Sequence, residues 1–200
     1  MPFKLGIILG STRPHSNTQG VSRYILNLLS THPDLTIEII HLSTSPGHPL
    51  PFDLGDTVPQ AHPPSSLPDA YADPMIRQWS STVMGWDGVM IVTPQYNWGY
   101  PAILKNAFDH LYHEWSGKPV GIVTLGGHGG GKCLDGLKVV LGGGLKMDII
   151  EGNVQVMIPR DLIVGEGRIR GDEGWLEDYR EGLEGLIHEL VDARRKLAGV

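Results

Sequence analysis

The stretch Leu5-Gly6-Ile7-Ile8-Leu9-Gly10-Ser11-Thr12-Arg13-Pro14-His15-Ser16-Asn17 decides how this chain is read. Leu5 to Leu9 is a short, nearly all-apolar run, which suits a strand covered on both faces in a parallel sheet. A buried helix can share that composition, but the β-branched content and the stop at Gly10 favour a strand. From Thr18 the apolar residues Val21, Tyr24, Ile25, Leu28 and Leu29 recur at helical spacing until His32-Pro33 ends the segment. Strand, polar turn and helix are the first half of a crossover unit. Two serines, a threonine, an arginine and an asparagine fall within the seven positions Ser11 to Asn17, directly ahead of the unpaired N–H groups and positive dipole end of a helix. Those parts suit a bound phosphate. An ordinary capped turn has the same composition, so the stretch alone leaves both readings open.

Outward from that unit, Leu35 to Leu42 alternates β-branched with polar residues and reads as a second strand near a sheet edge. Ser43 to Pro68 holds seven of the chain's 15 prolines, and proline denies the backbone both helix and central-strand pairing. So long a connection is expected along the surface, near a substrate or a partner subunit, or else as a solvated excursion. A second helix begins at Pro74, carries Met75, Ile76, Trp79, Val83 and Met84, and stops at Gly85. Gly88 to Val92 is a third, buried strand, and the loop Thr93 to Tyr100 follows it. The next helix opens at Pro101 and places Ile103, Leu104, Ala107, Phe108 and Leu111 on one face. Val120 to Leu125 is a fourth strand, Gly126 to Gly131 a glycine loop, and a helix runs from about Lys132 to Leu141 before the break at Gly142-Gly143-Gly144. Asn153 to Ile158 is the fifth strand. Leu176, Tyr179, Leu183, Leu186, Ile187, Leu190 and Val191 trace a final helix, with Asp172 and Glu173 at its start.

Five strands alternating with helices specify a doubly wound α/β domain over residues 1–200: a parallel sheet of order 2-1-3-4-5, the flavodoxin-like order, with helices on both faces. Ligands of such sheets sit beyond the carboxyl ends of the strands, where strands 1 and 3 part. The three unusual loops at 10–17, 93–100 and 126–131 therefore converge.

Composition narrows the function classes. The chain has 200 residues, a formal net charge of -6 and no Lys/Arg-rich run, which argues against nucleic acid or polyanionic surfaces as partners. Apolar runs fall short of a membrane span, Met1-Pro2-Phe3-Lys4 lacks a signal-peptide pattern, and the single cysteine, Cys133, suits a reducing compartment. A soluble cytoplasmic protein is expected. The nine histidines show no metal-ligand spacing, so no metal is assigned.

The first loop lacks both the GxGxxG fingerprint and the Lys-Ser/Thr ending of a triphosphate loop, and fits a mononucleotide phosphate. The second, Pro94-Gln95-Tyr96-Asn97-Trp98-Gly99-Tyr100, combines amides and aromatics that can border a flat heteroaromatic ring, or serve core or interface packing. Gly99 is expected to let the backbone approach closely. The third, Gly126-x-x-x-x-Gly131-Lys132, resembles a triphosphate loop, but Cys133 stands where a magnesium-binding hydroxyl is needed. Bare backbone N–H groups stabilising charge on a ring edge are the preferred reading; a plain flexible loop is the alternative.

Gly10-Ser11-x-Arg13-x-x-Ser16-Asn17, Pro94-x-Tyr96-Asn97-x-x-x-Pro101-x-x-Leu104-Lys105-Asn106-Ala107-x-Asp109 and the glycine loop, in that order, resemble the NADPH-dependent FMN reductase family of quinone reductases and azoreductases, especially its fungal quinone reductase branch. The resemblance implies that Ser11, Arg13, Ser16 and Asn17 hold the FMN phosphate, that Pro94, Gln95, Tyr96 and Asn97 line the isoalloxazine, and that Gly126, Gly127 and His128 lie near its pyrimidine end. Gln95 departs from the Glu of many members, which alters any contact relying on a carboxylate, including one across a subunit interface. Trp98 and His110 depart as well. Lys105, Asn106 and Asp109 belong to the motif but sit on a helix, where packing competes with chemistry, and Cys133 reads as a small buried residue.

The implied activity is an FMN-dependent oxidoreductase that takes hydride from NADPH or NADH and delivers two electrons to a quinone-like small molecule. No catalytic acid or base is assigned; backbone N–H groups at Asn97 and Gly126 tune the flavin. A homodimer or homotetramer is implied by the resemblance. A flavin-binding, redox-sensing regulator of a protein partner is the second reading, favoured only by the proline-rich segment.

Overall fold

The computed structural model describes residues 2–198, with side-chain surroundings through residue 193. The domain span expected over 1–200 thus includes residues 1, 199 and 200, which lie outside that range. The elements are β1 (Phe3–Leu9), α1 (Asn17–Leu29), β2 (Leu35–His41), α2 (Pro74–Met84), β3 (Gly88–Pro94), α3 (Ala102–Asp109), β4 (Pro119–Gly126), α4 (Gly131–Lys138), β5 (Asp148–Ile149), β6 (Val154–Met157), α5 (Arg160–Val164) and α6 (Arg180–Ala198). Every pairing in the sheet is parallel, in the order β2-β1-β3-β4-β5, and β6 also pairs with β4. The expected order is therefore present, with its last position divided between two short strands.

That division has a local cause. Asp148 and Ile149 pair with Pro119 and Val120, pairing resumes only at Val154 opposite Val123, and residues 150–153 step out of the ladder. Asn153 fills the step: its Oδ1 accepts the Ile122 N–H at 2.9 Å, so a buried strand donor is not left unpaired. The fifth strand expected at 153–158 is the second of these pieces.

Side chains of the central strands alternate between two cores, as period 2 requires. Leu5, Ile7 and Leu9 pack with Val21, Ile25, Leu186 and Leu190 of α1 and α6. Ile8 packs on the other side with Val89, Ile91, Trp79, Phe108 and Leu137, beneath α2, α3 and α4. Trp79 centres an aromatic cluster there, edge-on to Trp86 at 5.6 Å and Trp115 at 5.8 Å, and its Nε1 donates to the Ala107 carbonyl at 2.9 Å. Gly6 leaves room for Trp86, whose Cδ2 would lie 2.2 Å from a Cβ on residue 6.

Two expected boundaries shift and one helix is added. The helix after the glycine loop ends as an α-helix at Lys138 and continues as a π turn over Val139–Gly144, so the three glycines loosen the helix instead of breaking it. The final helix opens as a 3₁₀ turn, Gly174–Tyr179, before α6. The short helix α5 lies in a connection that periodicity left unassigned.

The proline-rich segment is an ordered strap with 3₁₀ turns at Pro59–Ala61 and Pro64–Ser66. Asn106 donates to the Leu50 and Pro51 carbonyls at 3.3 and 3.1 Å, and His110 Nε2 bonds the Pro51 carbonyl at 2.7 Å. Asn106 of the α3 motif and His110 at the C-cap of α3 therefore pin that segment. Lys105 and Asp109 pair with one another at 2.6 Å one helical turn apart.

Candidate functional site

The loops after β1, β3 and β4 border one cavity of about 410 Å³, lined by Ser11, Arg13, Ser16, Asn17, Pro94, Gln95, Tyr96, Asn97, Gly126 and Gly127 among others. His128 is not in that lining. Its exclusion follows from the turn it occupies: the Gly129 N–H closes onto the Gly126 carbonyl at 3.0 Å, which puts His128 at the exposed outer corner. No residue of the proline-rich segment lines the cavity either.

The first loop is shaped by Gly10, because a Cβ there would lie 2.4 Å from Thr93 Oγ1 and 2.7 Å from Leu104 Cδ1. Ser11 is buried, its Oγ lies 3.2 Å from the Tyr96 hydroxyl, and it accepts the Arg13 N–H at 3.3 Å. The Arg13 guanidinium carbon stands 5.4 Å from the Tyr96 ring centroid, a cation–π contact that holds a flexible side chain over the cavity. Ser16 is the N-cap of α1 and accepts the Gln19 N–H at 3.3 Å, which leaves its own O–H available to donate. Asn17 turns its side chain to the C-terminal part of the chain: Nδ2 donates to the Leu162 carbonyl at 2.8 Å and Oδ1 accepts the Ile169 N–H at 3.0 Å. Its backbone N–H in the first turn of α1 and one amide N–H are left for a ligand of the cavity that it lines.

In the second loop, Tyr96 and Gly99 exchange backbone hydrogen bonds of 2.9 and 3.0 Å around Asn97 and Trp98, whose φ values are 47° and 71°. Positive φ at both central residues is the mirror-image turn geometry that Asn tolerates and a bulky residue resists. The positive-φ backbone falls at Asn97 and Trp98, while a Cβ on Gly99 would meet only the Tyr96 carbonyl oxygen at 3.9 Å, so the close approach expected there is absent. Trp98, next in the chain to the cavity-lining Asn97, is 74% exposed.

Gln95 has a defined partner. Its Oε1 accepts the Cys133 N–H at 3.0 Å in the first turn of α4, where Gly130 has no side chain to cap the helix. An amide oxygen performs that role as a carboxylate would. Gln95→Ala is expected to lower stability by about 1 kcal/mol, and Gln95→Glu to retain the parent value, both measured by urea unfolding. Gly129 and Gly130 have φ of 75° and 84°, and a Cβ on Gly130 would meet Thr124 Cβ at 2.9 Å, so this loop depends on its glycines. Burial pushes the Cys133 thiol up to about 12. A thiol held neutral in this way is inert, and Cys133 in the folded chain should resist iodoacetamide while modification proceeds in denaturant, as read by mass spectrometry.

Sequence reasoning passed over a fourth wall. Ile158, Leu162, Ile163 and Arg168 line the cavity from β6, α5 and the segment beyond. The apolar triplet Leu162-Ile163-Val164 in a polar connection was the available signal; nothing local marked Arg168. The lining as a whole contains two arginines and no Asp or Glu, in a chain of net charge -6. The crevice is thus selectively cationic, at a helix N-terminus and at the fork between β1 and β3.

Fold and cavity together define a flavodoxin-like α/β protein with a crevice suited to a flat ring carrying a phosphate. A model of the NADPH-dependent FMN reductase family matches residues 3–161. Over 162 residues, 78% of this chain and 82% of the relative, the sequence is 43% identical to the NAD(P)H-dependent FMN reductase LOT6 of Saccharomyces cerevisiae. It is 55% identical over 96 residues, 48% of each chain, to an NAD(P)H-dependent FMN reductase of Schizosaccharomyces pombe. Among solved structures, the flavoenzyme NAD(P)H:(acceptor) oxidoreductase FerB of Paracoccus denitrificans superposes with a TM-score of 0.66 at 19% identity, covering 97% of this chain and 98% of that one, a likeness of fold. The chain belongs to the NADPH-dependent FMN reductase family. It is an oxidoreductase that uses FMN and a reduced nicotinamide dinucleotide. Among the described residues, no helix is long and apolar enough to cross a membrane.

Proposed function

We propose that this enzyme reduces quinone-like small molecules at the expense of NAD(P)H, with donor and acceptor occupying the same face of the crevice in turn. FMN, when bound, supplies the hydride-accepting and two-electron-releasing chemistry. The observation that carries the reading is the charge of the crevice: arginines, hydroxyls and the N-terminus of α1 at one end, without a lining carboxylate to repel a phosphate.

Ser11, Arg13, Ser16 and the backbone N–H of Asn17 are assigned to the phosphate. Pro94, Gln95, Tyr96 and Asn97 border the ring; the Gln95 amide oxygen is committed to α4 and its backbone N–H to the Leu125 carbonyl, which leaves its side-chain amide N–H groups to donate. We assign the glycine loop at Gly126 and Gly127 to the ring edge, where backbone N–H groups would stabilise negative charge; His128 is exposed. In this reading the protein binds, orients and excludes water, and no side chain is assigned as acid or base.

The purified chain loaded with FMN is expected to oxidise NADPH or NADH steadily with benzoquinone, giving parallel double-reciprocal lines as acceptor is varied. FMN-loaded protein that oxidises neither nucleotide faster than free FMN would overturn the proposal. We further place the enzyme in the cytoplasm as a homodimer or homotetramer. Exposed Trp98, fixed in a strained turn next to the cavity-lining Asn97, supports a partner subunit there. Sedimentation at the mass of one chain would remove that part.

A further inference from the structure

We propose that Arg168 is a second guanidinium on the cofactor phosphate, brought there by a segment the family pattern does not include. The inference rests on the flavin reading above. The family match ends at residue 161, and Arg168 lies beyond it.

Placement comes first. Asn17, the first residue of α1, bonds the Leu162 carbonyl with its Nδ2 and the Ile169 N–H with its Oδ1, so one side chain ties both ends of segment 162–169 to the start of α1. The backbones there are in contact: a Cβ on Gly20 would stand 2.1 Å from the Ile169 carbonyl oxygen, and one on Gly171 would stand 2.7 Å from that of Gly20. Arg168, adjacent to Ile169, is therefore held at the phosphate end of the cavity, which it lines together with Arg13. Ile163, next to Leu162, reaches from the same tie to the glycine loop, its Cδ1 lying 3.3 Å from where a Cβ on Gly127 would be. The segment is thus a loop closed at Asn17 that gives the cavity one apolar and one cationic side chain, Ile163 and Arg168.

The donor count agrees. Arg168 Nη1 is committed to the Gly165 and Gly167 carbonyls at 2.7 and 2.5 Å, which fixes the guanidinium plane. Nε and Nη2 have no acceptor among the described residues, and neither Arg13 nor Arg168 forms an ion pair there. A guanidinium so oriented presents the fork that matches phosphate oxygens. A phosphomonoester carries about -1.5 to -2 charges near neutral pH, more than one arginine balances.

FMN and riboflavin differ only in the phosphate, so titrating both by flavin fluorescence isolates it. Arg168→Ala is expected to weaken FMN binding roughly tenfold or more, the scale of one charged hydrogen bond, with riboflavin changed less than about twofold. Arg168→Lys should recover part of the loss. Equal weakening of both flavins would mean that Arg168 merely props its loop, and unchanged FMN binding would mean that it touches no phosphate. A variant with unchanged FMN affinity and a raised KM for NADPH but not NADH would move it to the dinucleotide. Each of these overturns the proposal. The parent and Arg13→Ala separate the levels: a parent that does not prefer FMN to riboflavin defeats the phosphate site itself. A preference abolished by Arg13→Ala and kept by Arg168→Ala defeats only the role of Arg168.

Discussion

Arg13→Ala is expected to weaken FMN binding about a hundredfold, because a hydrogen bond to a charged partner contributes about 1.5–3 kcal/mol and each 1.4 kcal/mol is a factor of ten. Riboflavin affinity should fall far less, because riboflavin lacks the phosphate that the guanidinium would meet and loses only the support that Arg13 gives the Tyr96 ring. Arg13→Lys should fall between the two, keeping a charge and losing the fork. The measurement is fluorescence titration at fixed ionic strength, repeated at higher salt, where the parent should lose affinity faster than the alanine variant. Parent-like FMN affinity in Arg13→Ala would show that the phosphate lies elsewhere.

The largest stability effect is expected on the opposite side of the sheet. Trp79→Ala should cost about 3–5 kcal/mol in urea unfolding of the FMN-free chain, the range for removing a buried large aromatic. Trp79 is 1% exposed, its indole N–H satisfies the Ala107 carbonyl, and its ring contacts Trp86, Trp115 and His48. Its deletion leaves a void among aromatic rings and an unpaired carbonyl at once. Folded variant should still bind FMN with parent affinity, because α2 contributes no residue to the crevice. A loss below about 1 kcal/mol would mean that the cluster collapses freely around the gap.

Acid should weaken the segment behind the phosphate end. Burial opposes the charge on Glu173, but N–H bonds from Arg170 and Gly171 outweigh it and hold the carboxyl below its ordinary value. A carboxyl depressed in the folded state stabilises above its unfolded pKa and ceases to do so as pH falls through the folded one. Glu173→Gln should therefore lower the melting temperature at neutral pH, with the difference closing below the ordinary carboxylate range.

Much of the architecture was legible because its rules are local. Leu5 to Leu9, Gly88 to Val92 and Val120 to Leu125 are apolar on both faces, and the structure buries them between two helical layers. Ser16 announces α1 as a cap announces any helix. Those patterns were enough to place three loops at one sheet end, and ten of the eleven residues assigned to a cofactor line one cavity. The eleventh, His128, follows from the family resemblance alone; in the structure it is exposed on the Gly126–Gly129 turn, where Gly129 has a φ of 75°.

Other features have no local rule. The step between β5 and β6 exists because Asn153 reaches Ile122, 31 residues away. Gln95 meets Cys133 across 38 residues, and Asn17 meets Leu162 across 145. Sequence by itself determined the strand and helix periods, since each follows from spacing along a single stretch; the parallel order and the convergence of the three loops followed from the general rule for alternating strands and helices. The tertiary structure alone decided that Gln95 caps a helix, that Asn106 and His110 anchor the proline-rich strap, and that Arg168 enters the crevice, because each is a contact between segments far apart in the chain.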